Sequence, residues 1–109
     1  MTIANQIIIQ AHEGREKELK TQLNTLVAYA LTQKGCQKFE LYQYFDTPTH
    51  FFIVEIWKSE RRYNTYLKSS DYLEHQTTLQ ELVKAQESHP LKLTQCLTEL
   101  GLKKKEGAV

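Results

Sequence analysis

Seven consecutive residues, Phe51-Phe52-Ile53-Val54-Glu55-Ile56-Trp57, carry one charge among six apolar side chains. The run is short and rich in β-branched and aromatic residues, so it reads as a strand rather than a buried helix. Successive side chains of a strand point to opposite faces. Phe51, Ile53 and Trp57 therefore line one face, and Phe52, Val54 and Ile56 line the other. A sheet built around this strand needs apolar cover on both sides. Glu55 shares its face with the only tryptophan of the chain, and the run leads through Lys58 to Ser59, a natural helix N-cap. A carboxylate among such neighbours must be paired or hydrogen-bonded, and Arg61, Arg62 or a partner subunit is the expected counterpart. The helix entrance beside Trp57 and Glu55 is where a small aromatic molecule is expected to lodge.

The flanking segments supply the remaining elements. Residues 3 to 11 are β-branched and short, with Gly14 as punctuation, and read as a first strand. Leu19, Leu23, Leu26, Val27, Ala30 and Leu31 then recur at helical spacing behind the charged residues Glu16, Lys17, Glu18 and Lys20. Gly35 suits the left-handed residue just past the end of that helix. Cys36 to Phe45 reads as a second strand, and Asp46-Thr47-Pro48-Thr49 is turn chemistry that returns the chain as the arm His50 to Lys58. Ser59 starts a short helix with Tyr63, Tyr66 and Leu67 inward, and Ser69-Ser70-Asp71 breaks it. A further helix carries Tyr72, His75, Leu79, Leu82 and Val83 on one face, and the alternation over Pro90 to Leu100 predicts a last strand.

Strand, helix, two strands, broken helix, strand, with right-handed crossovers, gives a ferredoxin-like α+β sandwich. The first strand sits centrally, the second and fourth lie at opposite edges, and the helices cover one face. The uncovered apolar face then exceeds what a soluble monomer tolerates, so a homodimer is expected. Residues 1–100 are expected to form the one domain, with 101–109 a flexible tail around Lys103-Lys104-Lys105.

Composition narrows the function classes. Fourteen basic and thirteen acidic side chains leave a formal charge of +1, and their interspersion argues against a nucleic-acid partner. No apolar run approaches the ~20 residues of a membrane span, and the N-terminus lacks a signal-peptide pattern, so no membrane association and a cytoplasmic location are expected. Cys36 and Cys96 are too far apart for a zinc or redox motif and read as reduced. His12, His50 and His89 are scattered at element ends, and no metal site is expected.

Gly14 after strand one, Gly35-Cys36 opening strand two, the strand end Glu55-Ile56-Trp57-Lys58-Ser59 and the helix Tyr63 to Leu67 together resemble the antibiotic biosynthesis monooxygenase family. That family comprises dimeric α+β barrels and includes quinol monooxygenases. The resemblance covers roughly residues 5 to 98. It implies a hollow between helices and sheet, and oxidation of a small aromatic or quinol-type substrate by molecular oxygen without metal or flavin. It departs where many members carry a histidine nine residues after the Trp, which is Tyr66 here, and an acidic residue with proline before Gly-Cys, which is Gln33-Lys34 here. Two alternatives accompany it: a binding module of the same fold that does not turn its ligand over, and a haem-degrading branch, from whose Asn, Trp and His pattern the chain departs with Asn5 about two residues out of register, Tyr66 in place of the Trp and His75 about one residue off.

Oxygenation without a cofactor requires the substrate itself to give an electron to oxygen, and so needs a base to make a phenolate or enolate. His75 is the expected catalytic base, because an imidazole titrates near neutrality and helical spacing places it with Tyr72 and Leu79. Trp57, Tyr66, Tyr72 and Phe51 are the expected aromatic walls of the substrate site, and Asn5, on the strand face of Ile7 and Ile9, is the expected amide contact.

Overall fold

The computed structural model describes residues 1–94. Strand β1 (Ile3–Ala11) leads to helix α1 (Glu16–Leu31), the hairpin of β2 (Cys36–Gln43) and β3 (His50–Trp57), two short helices α2 (Glu60–Lys68) and α3 (Ser70–Gln80), and strand β4 (Val83–Leu91). The four strands form one antiparallel sheet in the order β2-β3-β1-β4. This is the expected ferredoxin-like α+β fold, with β1 beside both β3 and β4 and with β2 and β4 at the edges.

The helices form where the apolar spacing required them. Leu19, Leu23, Leu26 and Ala30 of α1 are all buried against the sheet. Ser59 caps α2, its hydroxyl accepting from the Arg62 amide at 3.2 Å. Ser69 ends α2 and starts α3: its hydroxyl donates to the Tyr66 carbonyl at 2.7 Å, and accepts from the Tyr72 amide at 3.2 Å and the Tyr29 hydroxyl at 2.8 Å. One serine thus fixes the angle between two helices and ties both to α1, which a capping hydroxyl can do because helix ends leave backbone groups unpaired.

Strand β3 alternates as its sequence requires. Phe51, Ile53, Glu55 and Trp57 are buried under the helices, while Phe52, Val54 and Ile56 on the outer face are only half-buried. On that outer face Tyr42 stacks on Phe52 with ring centres 4.8 Å apart. Strand β3 is therefore apolar on both sides, and the helices cover one of them.

The last strand is earlier than the alternation of Pro90 to Leu100 suggested. The chain leaves α3 at Gln80, turns, and pairs Val83–Leu91 with β1, so Leu82 and Val83 are not helical and residues 92–94 are not strand. Apart from Val83, every residue of β4 is exposed, as suits an edge strand bonded on one side only. Pro90 lies near its end, where a missing amide hydrogen on the open side costs no ladder bond. The remainder of that expected strand, Cys96, and the tail at 101–109 lie outside the described residues.

Candidate functional site

Antiparallel pairing brings chosen side chains of all four strands to the helix side. Asn5 lies opposite Glu55, Ile7 opposite Ile53 and Ile9 opposite Phe51. Phe39 of β2 flanks Glu55, while Pro90, Ser88 and Gln86 of β4 flank Asn5, Ile7 and Ile9. Since the helix-side residues of β4 are exposed, a hollow opens between that strand and α3. Ile7, Ile9, Ile53 and Glu55 form its floor, Leu23, Leu26, Phe39, Tyr63, Tyr66 and Leu67 its back, and Tyr72, Gln76, Gln86 and Ser88 border it on α3 and β4.

The hollow measures about 90 Å³. Ligand clefts usually run to at least about 300 Å³, and a cavity of about 150 Å³ is known to hold benzene. As it stands the hollow is smaller than a ring requires, and Tyr72 and Gln76 on its border are only half-buried.

Glu55 is 2% exposed and is the one charged residue in the core of the described residues. Its two oxygens are held separately: Trp57 Nε1 donates to Oε1 at 2.9 Å, and Asn5 Nδ2 donates to Oε2 at 3.1 Å. The expectation of a hydrogen-bonded carboxylate is met, and the partners are the indole and an amide rather than Arg61 or Arg62. Burial pushes Glu55 above the usual carboxylate range, while Trp57, Asn5 and the Tyr63 phenol oppose that by favouring the charged form. The reverse effect reaches the phenols. Tyr63, Tyr66 and Tyr72 are raised first by burial and then by the charge of Glu55, so all three stay protonated at neutral pH. The Cys36 thiol is raised for the same two reasons.

The aromatic residues singled out from sequence separate into two layers. Tyr66 and Tyr72 border the hollow, with ring centres 4.8 Å apart. Trp57 stacks on Tyr66 at 4.5 Å, and both Trp57 and Phe51 are wholly buried and outside the lining. Asn5 reaches the site through its bond to Glu55. His75 is half-buried against the ring of Tyr29, centres 5.7 Å apart, and is not among the lining residues; its neighbour Gln76 is. Sequence reasoning placed the site beside Trp57 and Glu55 but gave the carboxylate only a structural pairing, and it did not name Tyr63 or Gln76 as lining residues.

The fold matches several solved structures. A Pseudomonas aeruginosa protein superposes with a TM-score of 0.81 at 19% identity, covering 86% of this chain and 95% of that one. SnoaB, a cofactor-independent oxygenase from Streptomyces nogalater, gives 0.80 at 19% identity, with 88% and 96% covered. A Mycobacterium tuberculosis protein gives 0.80 at 16% identity, with 88% and 98% covered. At these identities the likeness is one of fold. No protein of curated function matches the sequence. The family model for antibiotic biosynthesis monooxygenase matches residues 2–78, from β1 to within two residues of the end of α3. By that match over more than half its length, the chain belongs to the antibiotic biosynthesis monooxygenase family.

Proposed function

We propose that this protein oxygenates a small hydroxylated aromatic, of the quinol type, with molecular oxygen and without metal or flavin. The observation that carries the reading is the hollow itself, where three protonated phenols and one carboxylate converge on a space otherwise walled by Ile, Leu and Phe. Family membership supports it, as does the likeness to a cofactor-independent oxygenase. The apolar walls select a ring, and the tyrosine hydroxyls orient its oxygen. The ring anion passes an electron to dioxygen, the two radicals join in a carbon–oxygen bond, and cleavage of the O–O bond leaves a quinone and water. The ring thereby gains one oxygen and loses two hydrogens, which leave with the second oxygen. Haem is far larger than the hollow and would meet no imidazole there, because no histidine lines it.

A homodimer joined through the outer sheet face belongs to the same proposal, supported by the half-buried Phe52, Val54 and Ile56. Sedimentation should return a particle of two chains, and Val54→Glu should return one.

The test is oxygen uptake with a dihydroxynaphthalene. Wild type should consume oxygen and form quinone, and Ser88→Phe, which places a ring at an exposed position on the border of the hollow, should cut uptake about tenfold or more by blocking entry. No uptake by wild type rejects the enzymatic reading. Thermal stabilisation by the ring without oxygen consumption would assign the hollow to ligand binding alone.

A further inference from the structure

We propose that Glu55 takes the proton of the substrate's ring hydroxyl, with Asn5 and Trp57 holding the carboxylate in place to receive it. This rests on the oxygenation reading above and names the group that starts the reaction.

Among the described residues the lining of the hollow includes one carboxylate and no histidine, lysine or arginine, so Glu55 is the group among them able to accept a proton near neutral pH. An ionised carboxylate offers about four acceptor sites. Trp57 Nε1 and Asn5 Nδ2 occupy one on each oxygen and the Tyr63 phenol takes a third, which leaves one site able to accept from a guest. Those two bonds come from β3 and β1, the most enclosed strands of the sheet, so the acceptor is set on rigid elements rather than on a loop. Burial makes it a stronger base than an exposed glutamate, and matches its proton affinity more closely to a phenol.

The step is balanced within the site. The ring O–H bond breaks, its electron pair stays on the ring oxygen, and the proton bonds to a carboxylate oxygen. After oxygen adds to the ring carbon, that proton passes to the peroxide oxygen, and O–O cleavage with loss of the ring C–H releases water and restores the carboxylate. A substrate class follows. The guest must arrive as a neutral hydroxyl donor, since a ring bearing its own carboxylate would meet the charge of Glu55 in an apolar enclosure.

Activity should rise with pH as Glu55 ionises. Among the described residues the titratable groups facing it are Tyr63 and Tyr66 from α2, Tyr72 from α3 and Cys36 from β2, and all four are raised by its charge. They remain neutral across that rise, so the acid limb of the kcat/KM profile reports Glu55 alone.

The experiment compares wild type, Glu55→Gln and Asn5→Ala with a dihydroxynaphthalene. Oxygen uptake reads turnover, and quenching of the single tryptophan under nitrogen reads binding. Glu55→Gln should lose turnover by about a hundredfold or more while its affinity moves by no more than about threefold, and its acid limb should vanish. Asn5→Ala removes a donor that favours the charged form, so its acid limb should move to higher pH. Glu55→Gln with near wild-type turnover and an unchanged limb overturns the proposal and leaves the oxygenation reading standing. Wild type without uptake overturns both. If circular dichroism shows Glu55→Gln unfolded, the limb of Asn5→Ala decides, and a limb that stays in place overturns the role of Glu55.

Discussion

Trp57→Ala should lower the free energy of unfolding by about 3–5 kcal/mol, the range for removing a large buried aromatic. Trp57 is wholly buried, stacks on Tyr66 at 4.5 Å, lies 5.9 Å from Tyr63 and donates to Glu55. The substitution opens a cavity under α2 and also takes a donor from an enclosed carboxylate. Trp57→Phe separates the two effects, because it keeps a ring and loses the N–H; a bond to a charged group of this kind is worth about 1.5–3 kcal/mol. Urea unfolding measures both variants. A loss below about 1 kcal/mol for Trp57→Ala would mean that the indole is not the keystone between sheet and helix that its burial describes.

Gly35→Ala is the second large effect, and Gly14→Ala is its control. Both glycines have positive φ, +89° at Gly35 and +85° at Gly14, where a side chain costs about 1–2 kcal/mol. Their surroundings differ. A Cβ at Gly14 would meet nothing within 4 Å, whereas one at Gly35 would sit 2.5 Å from Arg62 Cβ and 2.6 Å from its Cγ. These are stem atoms fixed by the first turn of α2, so the helix must move. Because α2 carries Tyr63 and Tyr66, that movement reaches the hollow. Gly14→Ala should therefore cost only the conformational term, and Gly35→Ala should exceed it by about 1 kcal/mol or more and disturb the fluorescence of Trp57. Equal losses would show that α2 yields freely.

The same residues explain how far the fold could be read from sequence. The β-branched and aromatic content of β1 and β3, the leucine stripe of α1 and the serines at Ser59 and Ser69 all agree locally with the final structure, so five of the seven elements were legible within about two residues, while α3 was expected to run on to Val83, three residues past its end at Gln80. β4 was not legible. Its sequence, Val-Lys-Ala-Gln-Glu-Ser-His-Pro-Leu, is polar on both faces, because an edge strand at an open hollow is covered by neither helix nor neighbour, and hydrophobic patterning is silent about such a strand.

The site was half legible for a related reason. On a helix, Tyr72, His75 and Leu79 follow one stripe, and Tyr72, Gln76 and Leu79 follow another that is equally regular. Only the packing of α3, with His75 against Tyr29, decides that Gln76 borders the hollow. Glu55 was legible as a carboxylate in need of a partner. Its partners were not, since the pairing of Asn5 with Glu55 across fifty residues depends on the register of β1 against β3.

On this reading a hydroxylated ring binds in the hollow above Glu55. A crystal structure of the protein grown under nitrogen with a dihydroxynaphthalene tests it most directly. The ring should lie between Tyr66, Leu67 and Ser88, with Tyr72 or Gln76 turned outward and the ring hydroxyl within hydrogen-bond reach of a Glu55 carboxylate oxygen. A ring bound elsewhere, with the hollow closed and Tyr72 in its present place, would contradict it.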